Sequence, residues 1–152
     1  MPYVRRRLTG GKDVGEIEQV LVDAHRDKTN REVVYARQLA AELERADVVD
    51  PKEIPADVVT MNSVVRLIDE QTGRELTYAL AFPADSDPGQ GRISVLAPVG
   101  IALLGGRVGD VVEWPVPKGV CRYRIAGIDY QPEAAGDYDR GRPGPRMRHR
   151  SM

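Results

Sequence analysis

The fold of this chain is decided by the sequence GRISVLAPVGIALLGGRVGDV, which spans residues 91–111. Pro98 opens a predicted helix, since proline is favoured at the first helical position, where its missing N–H would be unpaired anyway. Gly105 and Gly106 close the helix, because glycine readily adopts the left-handed backbone angles found just past a helix end. The residues between them are apolar on nearly every side, so the helix must be buried. Because a helix of about two turns is unstable alone, we expect strands to surround it.

Strands are predicted on both sides of this helix, at residues 58–68, 75–82, 92–96, 111–116 and 121–130. The first is rich in β-branched residues, and Thr72-Gly73 joins it to the second, which is typical of a β-hairpin. Pro115 cannot donate a hydrogen bond to a neighbouring strand, so its strand should lie at a sheet edge or leave the sheet there. The pattern predicts an α+β fold in which a five-stranded antiparallel sheet, with mostly hairpin-linked strands, is wrapped around one short helix.

Two helices are predicted before the sheet. Apolar residues recur there at spacings of three, four and three, first at Val14, Ile17, Leu21 and Ala24 and then at Val33, Ala36, Ala40 and Leu43. Each series forms an apolar stripe along one helix, and a short polar link separates the two stripes. Stripes of equal period and length favour an antiparallel helical hairpin, a short coiled coil, over residues 13–46.

The domain organisation follows from where these patterns begin and end. Residues 1–12 are expected to be a flexible start and residues 47–57 a linker, because neither segment has a hydrophobic period and the second contains two prolines. The globular domain is expected at residues 58–136. Residues 137–152 contain five arginines and no apolar face, which is typical of a disordered basic tail.

The composition excludes several classes of protein. With 152 residues, 30% of them charged, and a net charge of −1, the chain has no overall attraction to nucleic acid or to a membrane surface. No apolar run approaches the roughly 18 residues of a membrane span. The single cysteine, Cys121, cannot form an internal disulfide and is typical of a reducing compartment. We expect a cytoplasmic monomer with no membrane partner and no specific nucleic-acid partner.

The sequence contains no recognisable catalytic or cofactor site. The glycine-rich run at residues 105–109 follows a helix, whereas a phosphate-binding loop needs its helix after the glycines. One cysteine and two histidines, His25 and His149, are too few for a zinc site. No serine lies in a G-x-S-x-G motif. We therefore predict no catalytic residues, no metal and no cofactor, and we do not expect an enzyme.

Three separated motifs carry a resemblance to a known family. The motif ISVLAPVGIALLGGRVGD at residues 93–110 resembles the C-terminal domain of the bacterial transcript-cleavage factors GreA and GreB. Together with DVVTMNS at residues 57–63 and YQPEAAGDY at residues 130–138, it is similar to the Gre-related family called regulator of nucleoside diphosphate kinase (Rnk). The resemblance covers about residues 47–138. It implies an FKBP-like sheet around the helix and bacterial RNA polymerase as the partner, bound at the rim of the secondary channel.

The resemblance also implies which residues contact the polymerase. In Gre-type factors the loop before the buried helix contributes to docking, and the matching positions here are Leu96, Ala97, Pro98 and Val99. Ala97 stands where GreA and GreB usually have serine, so a hydroxyl cap for the helix is missing. For Leu96 and Val99, burial in the core is an equally good interpretation.

The predicted hairpin tip differs from the Gre pattern. Gre-type RNA cleavage uses adjacent acidic residues at the tip to hold Mg²⁺, a hard cation that binds carboxylate oxygens and needs more than one of them. The tip residues here are Arg26, Asp27, Lys28, Arg31 and Glu32. Asp27 stands alone between two cations, and each arm, at roughly 21 Å, is shorter than a Gre arm. We therefore predict no metal at the tip and no cleavage of RNA.

The function predicted from these observations is that of a non-catalytic regulator of transcription. It would dock on RNA polymerase, compete with Gre factors for one site, and inhibit transcription by obstructing the secondary channel. Two alternatives stay open: a regulator of nucleotide metabolism, as the Rnk name suggests, and a true transcript-cleavage factor. Since the residues include no nucleotide site, the first alternative is more easily explained by an indirect effect.

Overall fold

The computed structural model describes residues 8–27 and 30–137, with only the backbone described for residues 8–14, 24–27 and 30–32. The helices are α1 (Gly11–Asp27), α2 (Asn30–Arg45), α3 (Pro98–Leu103) and α4 (Pro132–Ala135). The strands are β1 (Leu8–Gly10), β2 (Asp47–Val49), β3 (Val64–Asp69), β4 (Glu75–Ala81), β5 (Arg92–Ser94), β6 (Val111–Val116) and β7 (Gly119–Tyr130). The chain therefore mixes helix and strand, as predicted.

Strands β3 to β7 form one curled sheet of five strands, in the order β5-β4-β3-β7-β6. β3 pairs antiparallel with β4 and β7, and β7 pairs antiparallel with β6. β6, which contains Pro115, lies at an edge of the sheet. This position confirms the prediction made from Pro115, because a proline on an edge strand does not interrupt a central ladder of hydrogen bonds.

One pair of strands corrects the prediction of an antiparallel sheet. β4 and β5 run parallel, with Leu80 opposite Ile93. Two 3₁₀ turns, Pro83–Asp85 and Pro88–Gln90, lie between them. The connection reverses the direction of the chain twice, so β5 runs the same way as β4. A tight hairpin would reverse the chain once and give an antiparallel pair.

β3 begins later than the strand predicted to start at residue 58. Asn62 has a φ of 69°, in the left-handed region that residues other than glycine seldom adopt. The N–H of Ser63 donates to the carbonyl of Thr60 at 3.0 Å. This turn delays the start of the strand to Val64. Residues 58–63 are buried, and Val59 exchanges backbone hydrogen bonds with Gly105 and Gly106 instead of belonging to β3.

The core lies between one face of the sheet and α3. This helix begins at Pro98 and is followed by Gly105 in a left-handed conformation with φ 80°, as the sequence predicted. Buried side chains from α3 and the sheet pack together, among them Ile101, Leu103, Val65, Leu67, Leu80, Val112 and Ile125. Gly100 allows α3 to approach β5, because a Cβ on Gly100 would lie 2.1 Å from the carbonyl oxygen of Ser94.

Helices α1 and α2 lie in the region of the predicted helical hairpin and contact each other. Ile17 of α1 and Ala36 and Leu39 of α2 are fully buried in the same core as α3. The two helices are therefore joined to the sheet by shared packing. Residues 28–29, which connect α1 to α2, lie outside the described residues, and so do residues 138–152 of the predicted basic tail.

β1 and β2 form a short parallel pair in segments that we expected to have no regular structure. Each strand has only three residues, so neither produces a detectable hydrophobic period. Ile54, in the predicted linker, is also buried. Of the helices in residues 8–27 and 30–137, none is long and apolar enough to cross a membrane.

Candidate functional site

The predicted docking segment, residues 96–99, connects β5 to the first turn of α3. Ser94 holds the start of this segment: its Oγ accepts from the N–H of Leu96, and its carbonyl accepts from the N–H of Ala97, both at 3.0 Å. The carbonyl of Ala97 then accepts from the N–H of Ile101 at 2.9 Å. Hydrogen bonds on both sides of Ala97 therefore fix the backbone of the segment.

The four side chains of the docking segment differ in accessibility. Leu96 is only 7% exposed and belongs to the buried core, so its side chain is not part of the accessible surface. Val99 is half-buried and packs against that core. Ala97 and Pro98 are also half-buried, and Ala97 makes no side-chain hydrogen bond to the helix that it precedes. Ala97, Pro98 and part of Val99 therefore form the accessible part of the predicted docking segment.

A groove of about 360 Å³ opens beside the docking segment, between α2, α3 and β6. Its lining includes Tyr35, Glu42, Pro98, Glu113, Trp114 and Pro115, and within the described part of the chain it includes no lysine, arginine or histidine. Pro98 thus belongs to both the docking segment and the groove wall. Sequence reasoning missed the groove because its walls come from three distant segments, and the only signal was a single tryptophan on a proline-containing strand.

Both carboxylates of the groove have a local cationic partner. Glu113 pairs with Arg122 at 2.8 Å, and Glu42 pairs with Arg45 at 3.9 Å. All four side chains are at least partly exposed, and exposed pairs of this kind contribute at most about 1 kcal/mol. The two carboxylates can therefore exchange these partners for another cation at little cost.

Trp114 is positioned by stacking on Tyr123. The ring centroids are 5.2 Å apart and the ring planes are inclined by 12°. Aromatic pairs contribute about 0.5–1.5 kcal/mol beyond their burial. Burial, together with the negative charge of Asp69, raises the pKa of Tyr123. The indole ring of Trp114 therefore rests on a neutral phenol ring.

Two of the motifs that carried the resemblance meet in a buried polar cluster. Thr60 donates from its hydroxyl to Oε1 of Glu133 at 2.7 Å. Gln131 donates from Nε2 to the carbonyls of Pro55 and Val58, both at 2.7 Å. Thr60 and Gln131 are buried; the hydrogen bond to Val58 is buried, and those to Glu133 and Pro55 are partly buried. The cluster joins the end of β7 to the segment before β3.

The predicted tip residues lie outside the part of the chain whose side chains are described. This applies to Arg26, Asp27, Lys28, Arg31 and Glu32. The structure therefore does not test the arrangement of charges at the tip. Among the residues that are described, no group of three or more histidine, cysteine, aspartate or glutamate side chains could hold a metal ion.

The fold of this chain, with the segment before its buried helix, is similar to that of a prokaryotic transcription factor. The chain is similar to a solved structure titled "Prokaryotic transcription elongation factor GreA/GreB from Nitrosomonas europaea". The two share 41% sequence identity with a TM-score of 0.68, over 84% of this chain and 100% of the other. At 84% of the chain, the match extends beyond the sheet domain alone.

The chain belongs to the GreA/GreB family. The family described as "Transcription elongation factor, GreA/GreB, C-term" matches residues 54–130. The "Regulator of nucleoside diphosphate kinase" of Escherichia coli (strain K12) is 47% identical over 104 residues, which cover 68% of this chain and 76% of that protein. "Transcription elongation factor GreA" of Acetivibrio thermocellus is 34% identical over 129 residues, covering 82% and 79%. These matches confirm the family predicted from the three motifs.

Proposed function

We propose that the chain binds RNA polymerase at the rim of the secondary channel and regulates transcription without cleaving RNA. Membership of the GreA/GreB family supports the choice of partner. The observation that carries the proposal is that Ala97, Pro98 and Val99 are partly accessible while hydrogen bonds fix their backbone. Ser94 holds the backbone of these residues, and Gly100 lets them lie close against β5. A surface fixed before binding loses little conformational entropy when a partner binds.

The N-terminal helices supply the second part of the proposal. We infer that α1 and α2 form an antiparallel hairpin beside an FKBP-like domain and that this hairpin enters the channel. Helix α1, with 17 residues, is about 25 Å long at 1.5 Å per residue. At its end Asp27 stands between Arg26 and Lys28, without a second acid next to it. One carboxylate beside two cations is a poor Mg²⁺ site, so the hairpin would obstruct the channel rather than support cleavage.

The docking proposal is tested by adding a charge to the docking segment of the full chain. Ala97→Arg places a cation beside Pro98, and we expect it to weaken binding to bacterial RNA polymerase by at least about tenfold, since a charge at the centre of an interface is costly to desolvate. Ala97→Ser restores a side chain that can cap α3 and should bind at least as well. Affinity is measured by surface plasmon resonance on immobilised polymerase.

The matched control for the docking test is Val48→Arg. Val48 is 56% exposed on β2, so the same charge is added to another exposed site. Equal affinity of the Ala97→Arg and Val48→Arg proteins would contradict the docking assignment. Point variants are preferable to removing α1 and α2, because Ile17 and Leu39 are part of the common core.

The absence of cleavage is tested with a backtracked polymerase and Mg²⁺. We expect no shortened transcripts with the natural sequence. The double variant Arg26→Asp/Lys28→Asp creates three adjacent acids at residues 26–28, and it should produce Mg²⁺-dependent shortening if the tip reaches the active site. Shortening by the natural sequence would overturn the proposal. Inhibition of RNA synthesis without shortening is the expected result for the natural sequence.

A second candidate function is a direct effect on nucleotide metabolism. It is favoured by one observation, the name of the 47% identical relative, "Regulator of nucleoside diphosphate kinase". The glycines at residues 105–109 follow α3 instead of preceding a helix, which does not favour a phosphate site. Titration with nucleoside diphosphates and triphosphates, followed by the melting temperature of the protein, separates the two functions. A saturable rise in melting temperature would support the second candidate.

A further inference from the structure

The groove between α2, α3 and β6 runs along the edge of the sheet. Its lining includes five consecutive residues of β6, residues 111–115. Neighbouring residues of a strand point to opposite faces of the sheet, so a groove over one face would be lined by every second residue only. Among the described residues, β6 has β7 on one side and no strand on the other. The groove therefore lies against the unpaired edge of β6.

The pairing of β6 with β7 determines which backbone groups point away from β7, toward the groove. Just before β6, the carbonyl of Asp110 accepts from the N–H of Ile125 at 2.8 Å, and the register then advances residue by residue. In an antiparallel pair, hydrogen-bonded and non-hydrogen-bonded positions alternate. Residues 112 and 114 therefore bond to β7. Residues 111, 113 and 115 direct their carbonyls outward, and the first two also direct their N–H groups outward.

This open edge has the groups that a further strand needs. Residues 111, 113 and 115 are exposed, and together they offer a row of N–H donors and carbonyl acceptors. An extended peptide that adds to a sheet edge gains affinity from main-chain hydrogen bonds and specificity from its alternate side chains. Pro115 has no N–H, so the ladder of an added segment would end there, and the segment would pair over about five residues.

The side chains beside the edge indicate the composition of such a segment. Trp114 and Tyr35 line the groove with aromatic surface. Glu113, next to Trp114 in β6, points to the opposite face of the sheet. Its ion pair with Arg122 is exposed and therefore weak, so Glu113 can also attract a cation across the open edge. Glu42 adds a second acid, and of residues 8–27 and 30–137 no lysine, arginine or histidine lines the groove.

We propose that β6 binds an extended segment of a partner protein by strand addition, and that this segment has a central arginine or lysine between two apolar residues. The central residue pairs with Glu113 through two main-chain hydrogen bonds and a cross-strand ion pair. The apolar residues on each side of it lie on the same face as Trp114, toward Tyr35. Because Pro98 also lines the groove, the segment lies beside the docking segment. The proposal goes beyond the proposed function and does not depend on polymerase binding.

A second copy of the chain is a poor occupant of this edge. The antiparallel pairing of two β6 strands that would use every outward group has its two-fold axis at Glu113. It would place the two Glu113 carboxylates opposite each other, and like charges in this position are destabilising. Pro115 of each copy would face Val111 of the other, whose carbonyl would then lack an N–H donor. Charge complementarity therefore favours a basic segment from another protein.

The experiment adds a blocked peptide, acetyl-Thr-Val-Arg-Val-Thr-amide, to the full chain. Trp114 is the only tryptophan of the chain, so its fluorescence reports on the groove without any label. We expect a saturable shift of its emission to shorter wavelength and weaker quenching by acrylamide. Amide hydrogen exchange followed by NMR is the second measurement. The N–H groups of Val111 and Glu113 should exchange quickly in the free chain and at least about tenfold more slowly at saturating peptide.

Two peptide variants separate main-chain from side-chain recognition. Methylation of the backbone nitrogen of the central arginine keeps its charge but removes the N–H that donates to the carbonyl of Glu113. It should weaken binding by at least about tenfold, because a hydrogen bond is lost and a methyl group is placed against the strand. Replacement of the central arginine by glutamate keeps the backbone and should weaken binding by at least about threefold, since two acids then lie opposite each other.

A variant of the chain tests the charge preference. Glu113→Lys should reverse it, so that the glutamate peptide binds more tightly than the arginine peptide. Glu75→Lys is the matched control, because Glu75 is also an exposed acid on the sheet, where it pairs with Arg66. The control makes the same change in net charge and should keep the preference for the arginine peptide.

Three results would overturn the proposal. One is the absence of a saturable change in Trp114 emission at peptide concentrations up to about 10 mM. The second is equal affinity for the methylated and unmethylated peptides, which would indicate contact through side chains alone. The third is protection of the Val111 and Glu113 N–H groups that rises with protein concentration in the absence of peptide, which would assign the edge to a second copy. Failure to bind polymerase would contradict the proposed function alone, because no measurement here includes polymerase.

Discussion

The two regions that carry the most specific motifs of this chain are held together by different forces. Around α3, apolar side chains and the close approach of Gly100 to Ser94 fix the structure, and Ala97 makes no side-chain hydrogen bond to α3. Around Thr60 and Gln131, buried and partly buried side-chain hydrogen bonds fix the structure. The first region leaves half-buried apolar side chains at the surface, whereas the second uses its polar groups inside the molecule. A specific motif therefore indicates a binding surface only where its side chains remain accessible.

The largest loss of stability in the region around α3 is expected from Gly100→Ala. The added Cβ would lie 2.1 Å from the carbonyl oxygen of Ser94, so α3 must move away from β5. We expect the free energy of unfolding to fall by about 3 kcal/mol, measured by urea denaturation. Gly15→Ala is the control: no atom lies within 4 Å of its Cβ position in α1, and it should stabilise the protein by about 0.5–1 kcal/mol. Equal effects of the two variants would refute the close-approach explanation.

The second region is weakened by Gln131→Ala. The variant leaves the carbonyl of Val58 without its side-chain donor and removes one of the two donors to the carbonyl of Pro55, which also accepts from the N–H of Val58. It also removes the cap that accepts from the N–H of Ala134. We expect a loss of about 2 kcal/mol in the free energy of unfolding. Polymerase affinity should not change below the melting temperature, because the cluster is internal. The exposed Gln90→Ala variant should change stability by less than about 0.5 kcal/mol. A large change in affinity with little change in stability would mean that the cluster binds a partner.

The smallest effect on stability is expected from the exposed hydrogen bond between Gln71 and Asp69, in contrast to the buried hydrogen bonds of Gln131. The backbone N–H of Gln71, at 2.8 Å, holds the pKa of Asp69 below its ordinary value of 3.8. The stabilisation is therefore fully present above that value and is lost as the pH falls through the lower pKa of the folded state. Asp69→Asn should reduce the drop in melting temperature between pH 5 and about pH 3, followed by circular dichroism. An unchanged drop would show that other carboxylates account for the acid sensitivity.

The parts of the fold that the sequence predicted well are those with a local cause. Pro98 and Gly105 mark the ends of α3 because proline and glycine have distinct backbone preferences. Pro115 identified an edge strand because it lacks an N–H. The family was predicted for a similar reason, since its motifs are contiguous stretches of sequence.

The parts that the sequence did not predict depend on contacts between distant residues. β4 and β5 are parallel because the loop between them reverses the chain twice, and no residue pattern predicts this path. β1 and β2 are too short to have a period. The groove needs α2, α3 and β6 to meet, and burial of Leu96 is decided by the sheet packed around it. The docking residues themselves stay a prediction, and only their accessibility is now described.

The packing of Ile17 and Leu39 into the core shared with α3 has a mechanical consequence. If a flexible linker joined the two helices to the sheet domain, they would sample many orientations, and few of these would fit a narrow channel. In the proposed function, α1 and α2 share one core with the sheet domain, so the orientation in which that domain binds polymerase sets the direction in which the two helices point. Substitutions of the buried side chains that join α1 and α2 to the sheet domain would then change the direction of the two helices without changing any residue that contacts the partner.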